Sequence, residues 1–384
     1  MRLLVLNHEY PPLGGGASPV TASLSAELAR RGHELDVVTM SFGDLPREET
    51  PQGVRLHRVP CCRRRLEISN TAELATYLWP AWRQALSLLR RQPYDLIHAH
   101  FVLPAGVIAV PLARNTRLPL VISAHGSDIP GYNPHRFRLE HRLLGPLWRT
   151  LACRTDCLVT PSANLAEQVL AHAPCLKAPG RVQAIPYGLE PLPYDPQAKV
   201  PGRVIMAGRL LERKGFRTML RALASRPLDL ELHILGDGPD MPVLRQMAAG
   251  LQAPVIFHGW LDRGGAEYAD LYRTGSIFVF PSQMESFGVV LGEAMTAGMA
   301  VITADVGACP EVVGDAGIQI APDDDAALAG HLAALLADPA RVRRMGQAAH
   351  ERAMGLYTWK AAADRYEALF AQLVEAHRHR NSER

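Results

Sequence analysis

The sequence predicts an α/β protein built from two doubly wound, Rossmann-like domains. Two observations carry that expectation. The first forty residues hold a complete strand–helix–strand unit, and the same alternation starts afresh beyond a segment with five prolines between positions 186 and 201. Short apolar runs alternating with helical patterns are the mark of a mostly parallel sheet covered on both faces.

The elements follow in order. Leu3 to Asn7 reads as the first strand, and Gly14-Gly15-Gly16 as the loop after it. Ser18 is the expected N-cap and Pro19 the first-turn proline of a helix with Leu24 and Leu28 on one face, closed by Gly32. Glu34 to Met40 returns as the second strand, and further strands are legible at 95–100, 120–124, 156–160 and 182–185. After the proline-rich stretch come strands at 203–209, 230–238, 255–261 and 276–282, then a helix over 288–297 and a strand over 300–304. The expected organisation is a first domain over 1–186, a linker over 187–201, a second domain over 202–356 and a final helical segment over 357–384 with a frayed polar end.

Composition narrows the class. Of the 384 residues, 48% are hydrophobic and 21% charged, which suits a globular protein and excludes a disordered or fibrous one. The apolar start is too short for a signal peptide, and the stretch 101–113 falls far below a bilayer span. Six cysteines (61, 62, 153, 157, 175 and 309) show no regular spacing, so free thiols in a reducing cytoplasm are expected. The net charge of +3 is unevenly divided: residues 1–185 hold 21 Lys/Arg against 14 Asp/Glu, and the remainder 20 against 24. That basic first half suits an anionic acceptor or the inner face of an anionic membrane, with Arg63-Arg64-Arg65 its densest point or merely a solvated loop. No nucleic-acid partner is expected.

In open α/β sheets ligands bind beyond the carboxyl ends of the strands. Gly15 and Gly16, His125, Arg209 with Lys214, and Glu285 all fall at such ends. Glu285 and Glu293 stand eight positions apart. On one helix that rise puts them roughly 12 Å apart, too far for an acid–base pair around one glycosidic bond, yet suited to the two ends of a nucleotide sugar. Free N–H groups of Ser286 to Val290 would face its anionic middle, although two acidic residues near a helix start also occur without function. Arg209 and Lys214 would neutralise a departing diphosphate. His125, with Asp128 fixing its orientation, is a candidate for sugar contact or a histidine satisfied at a domain edge. Gly15 and Gly16 permit close backbone approach or form a plain flexible turn. His98 and His100 lack a third ligand nearby in sequence, and Asp323-Asp324-Asp325 reads as a helix cap, so no metal site and no cofactor are expected.

AGRLLERKG, LGDGP, FHGWL, MESFGVVLGEAMTAGMAVI and GACPEVV, together with HGSD and the glycine loop, make the chain resemble retaining glycosyltransferases of family 4 with the GT-B fold. The resemblance implies two domains facing each other across a cleft and a last helix that returns to the first domain. It also implies metal-independent transfer of a hexosyl unit, with retention, from a nucleotide diphosphate sugar to a glycan, lipid-linked or small-molecule acceptor. Carried over by position, Arg209 and Lys214 hold the diphosphate, Glu285 the sugar hydroxyls and Glu293 the ribose. Ser286, Phe287, Gly288 and Val289 contribute backbone groups, and His125 lines the sugar site. Departures are Gly307-Ala308-Cys309, where the family often has a Gly-Gly pair, and Tyr187-Gly188-Leu189-Glu190, where it often has Asn-Gly-Val-Asp. A sugar-nucleotide epimerase and a non-catalytic nucleotide-sugar-binding protein are the competing expectations.

Overall fold

Strands and helices alternate along most of this computed structural model, which describes residues 1–132 and 138–382. Arg2–Leu6 (β1), Ala17–Arg30 (α1), Glu34–Met40 (β2), Glu48–Glu49 (β3), Arg55–Val59 (β4), Thr71–Arg91 (α2), Leu96–His100 (β5) and Ala105–Thr116 (α3) come first. Leu120–Ser123 (β6), Arg138–Ala152 (α4), Cys157–Thr160 (β7), Ala163–His172 (α5) and Val182–Ala184 (β8) complete the first run. The second run comprises Arg203–Ala207 (β9), Phe216–Ser225 (α6), Glu231–Leu235 (β10), Met241–Ala248 (α7), Val255–Gly259 (β11), Ala266–Thr274 (α8) and Ile277–Phe280 (β12). It continues through Val289–Thr296 (α9), Ala300–Ala304 (β13), Cys309–Val313 (α10), Gly317–Ile320 (β14), Asp325–Leu336 (α11) and Pro339–Leu356 (α12), before the last helix, Trp359–Ser382 (α13).

The chain divides into two units, Met1–Gly188 with Trp359–Arg384, and Leu189–Thr358. Residues 189–201, expected as linker, fall within the second. Among the described residues the first unit has the strand order β3-β4-β2-β1-β5-β6-β7-β8, parallel except for the β3–β4 pair. One face packs Tyr77 of α2, Ile108 of α3, Trp148 of α4 and Leu165 of α5 into a common core. The other face is covered by Leu24 and Leu28 of α1 and by Tyr366, Leu369 and Phe370 of α13, so the last helix belongs to the first sheet. Fully burying a side chain such as Phe370 contributes roughly 1.5–3 kcal/mol, which fixes this distant segment to the face it covers.

The second unit is a parallel sheet of order β11-β10-β9-β12-β13-β14. Phe216 and Leu223 of α6, Leu244 of α7, and Leu328 and Leu332 of α11 share a core with its strands. Strand order reverses between β1 and β5 in the first unit and between β9 and β12 in the second. The crevice at such a reversal is where doubly wound sheets take ligands.

Local corrections have physical causes. Helix α1 starts at Ala17 after Gly16, and Ser18 is buried inside its first turn rather than capping it. Cys153 and Cys175 are disulfide-bonded, with Cα atoms 5.8 Å apart, where free thiols were expected. Their sequence separation of 22 matches no recurring interval that spacing alone would reveal. Arg63 turns inward to donate to the carbonyls of Arg65 and Leu66, leaving Arg64 and Arg65 as the exposed part of the triplet. Asp324 caps α11 by accepting from the Ala327 N–H at 2.8 Å, the role expected of that acidic run. The loop 131–137, one of the segments in which substrate specificity is expected to lie, falls largely outside the described residues. No helix among the described residues is long and apolar enough to cross a membrane.

Candidate functional site

In the second unit the loops after β9 and β12 flank the reversal of strand order. The first ends in a short 3-10 turn, Glu212–Lys214, which Gly215 closes with φ +76. A Cβ there would lie 2.2 Å from the Pro281 carbonyl oxygen, so only glycine lets the two loops meet so closely. The contact is reinforced by the Gln283 N–H donating to the Arg213 carbonyl at 2.8 Å. Held in this way, Lys214 Nζ pairs with Glu285 Oε1, which also accepts from Ser282 Oγ at 3.0 Å. Both side chains are largely covered, with 19% and 12% exposed. Arg209, earlier on the same loop, is exposed, and no carboxylate among the described residues pairs with it.

Glu285 and Glu293 do not share a helix. Gly288, with φ +86, starts α9 at Val289, and the Glu285 carbonyl accepts from the Ala308 N–H at 3.1 Å instead of entering a helical ladder. The separation expected from helical rise therefore does not apply to this pair. The amides open at the helix start are those of Val289 and Val290, for which no acceptor is found among the described residues. Phe287 points its ring into the core against Tyr357.

Glu293 is 8% exposed. Its Oε2 accepts from the Tyr268 hydroxyl at 2.8 Å and from Arg263 Nη2 at 3.1 Å. Burial holds the carboxyl above its usual range, and Arg263 and Tyr268 oppose that shift. Sequence reasoning missed both partners. Arg263 was findable, because it follows the carboxyl end of β11 like the other candidates.

In the first unit His125 follows β6. Its ring sits beside Phe101, a non-glycine residue at φ +71 that follows β5, with ring centroids 4.7 Å apart. Such backbone strain persists only where surrounding structure enforces it, and it clusters at functional sites. Both ring nitrogens of His125 are engaged, Nε2 with His100 Nδ1 at 3.1 Å and Nδ1 with the Tyr187 hydroxyl at 2.7 Å. Burial pushes His125 down to about 3, so the imidazole is neutral near pH 7. Asp128 does not touch this ring. Its carboxylate accepts from the backbone N–H groups of His125, Gly126 and Val102, tying the turn after β6 to the one after β5. The contacts to the ring expected of Asp128 are made instead by His100 and Tyr187. Gly15 and Gly16 have open space where a Cβ would stand, and the Gly15 N–H is taken by Glu9. His98 bonds Ser123 at 2.8 Å. No group of three or more His, Cys, Asp or Glu suited to a metal ion occurs among the described residues.

The arrangement suits recognition of a polyhydroxylated anion: cations and an open helix start for negative charge, and carboxylates for hydroxyls. Residues 14–191 match the family described as Glycosyltransferase Family 4, and residues 201–338 match Glycosyl transferases group 1. The 2-deoxystreptamine glucosyltransferase of Streptomyces kanamyceticus is 30% identical over 351 residues, spanning 83% of this chain and 89% of that protein. Sucrose-phosphate synthase from Thermosynechococcus elongatus superposes with a TM-score of 0.78 at 23% identity, covering 98% of this chain and all of that one. The Anabaena protein HepE, solved in complex with UDP-glucose, gives 0.69 at 20% identity, over 98% of this chain and 100% of that one. The chain belongs to glycosyltransferase family 4 and has the GT-B fold.

Proposed function

We propose that the protein transfers a hexosyl unit from a nucleotide diphosphate sugar to an acceptor hydroxyl with retention of configuration. The observation that carries this reading is the pair of loops at the β9/β12 reversal, with Arg209 free, Lys214 held against Glu285 and the start of α9 beside them. Arg209, Lys214 and the Val289 and Val290 amides are assigned to the diphosphate, Glu285 to sugar hydroxyls and Glu293 to the ribose. Within the first unit, His125 is assigned to sugar contact, and Asp128, Gly15 and Gly16 to substrate binding. HepE's complex with UDP-glucose supports a donor of this kind.

In the proposed reaction the bond from the anomeric carbon to the diphosphate oxygen breaks as the acceptor oxygen bonds to the same face. The acceptor proton passes to the departing oxygen. Two fixed cations and the helix start stabilise the charge that develops there, typically the largest contribution to such catalysis, so the scheme invokes no metal ion. The Glu285–Lys214 pair gives this step a built-in adjustment, because a diphosphate that draws Lys214 away releases Glu285 for the sugar.

Lys214→Ala is expected to lower turnover by about two to three orders of magnitude, the loss typical of removing one oxyanion donor, while the urea midpoint shifts little. Transfer is read by mass measurement of product with UDP-, ADP- and GDP-hexoses and with soluble and lipid-linked acceptors. Unchanged turnover in that variant overturns the assignment. Release of nucleotide diphosphate that depends on an acceptor separates this reading from an epimerase. The basic first half suits an anionic acceptor or membrane face, and sedimentation with anionic vesicles at varied salt tests the latter.

A further inference from the structure

We propose that Tyr187 is a positioning residue that fixes His125 in one ring orientation and one tautomer, acting together with His100. The proposal rests on the assignment of His125 to the sugar site and adds a residue to which that assignment gave no role.

A neutral imidazole offers one donor and one acceptor. With Nδ1 against the Tyr187 hydroxyl and Nε2 against His100 Nδ1, two hydrogen patterns satisfy both of these bonds. Either the Tyr187 O–H donates to Nδ1 and the His125 Nε2–H donates to His100, or both bonds run the other way. The first pattern is favoured, because a phenol O–H is a better donor than acceptor and an imidazole nitrogen accepts well, whereas His100 Nδ1 serves equally in either role. The rings of His100 and His125 lie parallel within 5°, centroids 5.3 Å apart, so His100 limits rotation without selecting a tautomer. Phe101 closes a further side.

The phenol itself is held in place. Tyr187 precedes Gly188, where a Cβ would come within 2.4 Å of the Trp359 ring, so the chain is clamped against the first turn of α13 just after the tyrosine. Burial raises the Tyr187 phenol well above its usual value and keeps it a hydroxyl across the working range. An asparagine, the residue the family resemblance suggests here, has a shorter side chain, and its amide would reach less far toward Nδ1. The arrangement follows the general rule that the partner on a ring nitrogen of a histidine sets its tautomer and direction.

The test combines two variants with a direct view of the ring. In the wild-type protein, 15N spectra of selectively labelled histidine, assigned with His125→Ala, are expected to show one tautomer of His125 from pH 6 to pH 8. Tyr187→Phe keeps the ring packing and removes only the hydroxyl. It is expected to give an averaged tautomer signal and to lower kcat by about tenfold to a hundredfold, the usual cost of losing such a partner, with the donor KM changed less than twofold. A single unaltered tautomer and unchanged kcat in Tyr187→Phe, alongside a large loss in His125→Ala, overturn the positioning role and leave the assignment of His125 standing. Unchanged transfer in His125→Ala overturns that assignment and the proposal with it. Should Tyr187→Phe fail to fold, the wild-type spectrum decides: two tautomers in exchange overturn the proposal, and one supports it.

Discussion

Acidification from pH 7 to pH 5 is expected to weaken the first unit sharply, through histidines that its fold keeps neutral. His98 and His125 are both pushed down to about 3 by burial, and His100 moves the same way. The groups around them give no compensating charge: Tyr187 and Tyr366 are held as neutral phenols, and the Asp128 carboxylate spends its acceptors on backbone N–H groups. A histidine whose value is depressed in the folded state takes up its proton only on unfolding. The stability it protects is present above the unfolded value near 6.5 and is lost as pH falls below it toward the folded value. At pH 5 each of the two sits about 1.5 pH units below the unfolded value, or about 2 kcal/mol, so together they remove about 4 kcal/mol. That is a large share of a typical total of roughly 5–15 kcal/mol. Urea unfolding followed by tryptophan fluorescence reads it, since Trp79, Trp82, Trp148 and Trp359 lie in the first unit and Trp260 alone in the second. A loss under about 1 kcal/mol between the two pH values refutes the reasoning, as does a His98→Gln variant with the pH dependence of the wild type.

Further expectations concern the second unit. Gly307→Ala places a Cβ at φ +58 within 2.5 Å of the Glu285 carbonyl oxygen, so it should destabilise by about 1–3 kcal/mol and weaken UDP binding measured by calorimetry. Arg263→Ala leaves the buried Glu293 with Tyr268 as its remaining partner; because the Glu293 carboxyl is already raised, the thermal midpoint should fall more at pH 8 than at pH 5. Glu285→Gln should lower turnover with nucleotide sugars while affinity for the free nucleoside diphosphate stays equal or rises, since Lys214 no longer has to leave a carboxylate, as read by calorimetry with UDP, ADP and GDP.

Much of the fold was legible because buried parallel strands announce themselves as apolar runs; the boundaries of β2 and β13 coincide with those read from sequence. β4 was hidden because three of the five residues of RLHRV are basic or polar, and β14 because GIQI is only four residues long. The position of candidate residues at strand ends was also readable. Their partners were not, since Glu293 meets Arg263 and His125 meets Tyr187 through contacts that no local pattern encodes. The helical spacing inferred for Glu285 and Glu293 failed because α9 starts only after Gly288, whose positive φ leaves Glu285 in the loop before it.

The placement of α13 governs the order in which the chain can mature. Tyr366 and Phe370 complete one face of the first sheet, yet a ribosome delivers them only after all of Leu189–Thr358. The second unit therefore has its whole complement of residues available earlier and can consolidate first. The nascent first unit meanwhile keeps a greasy strip uncovered while some 170 intervening residues are made. Chaperone occupancy during synthesis should accordingly concentrate on the amino-terminal part and end when the closing helix arrives.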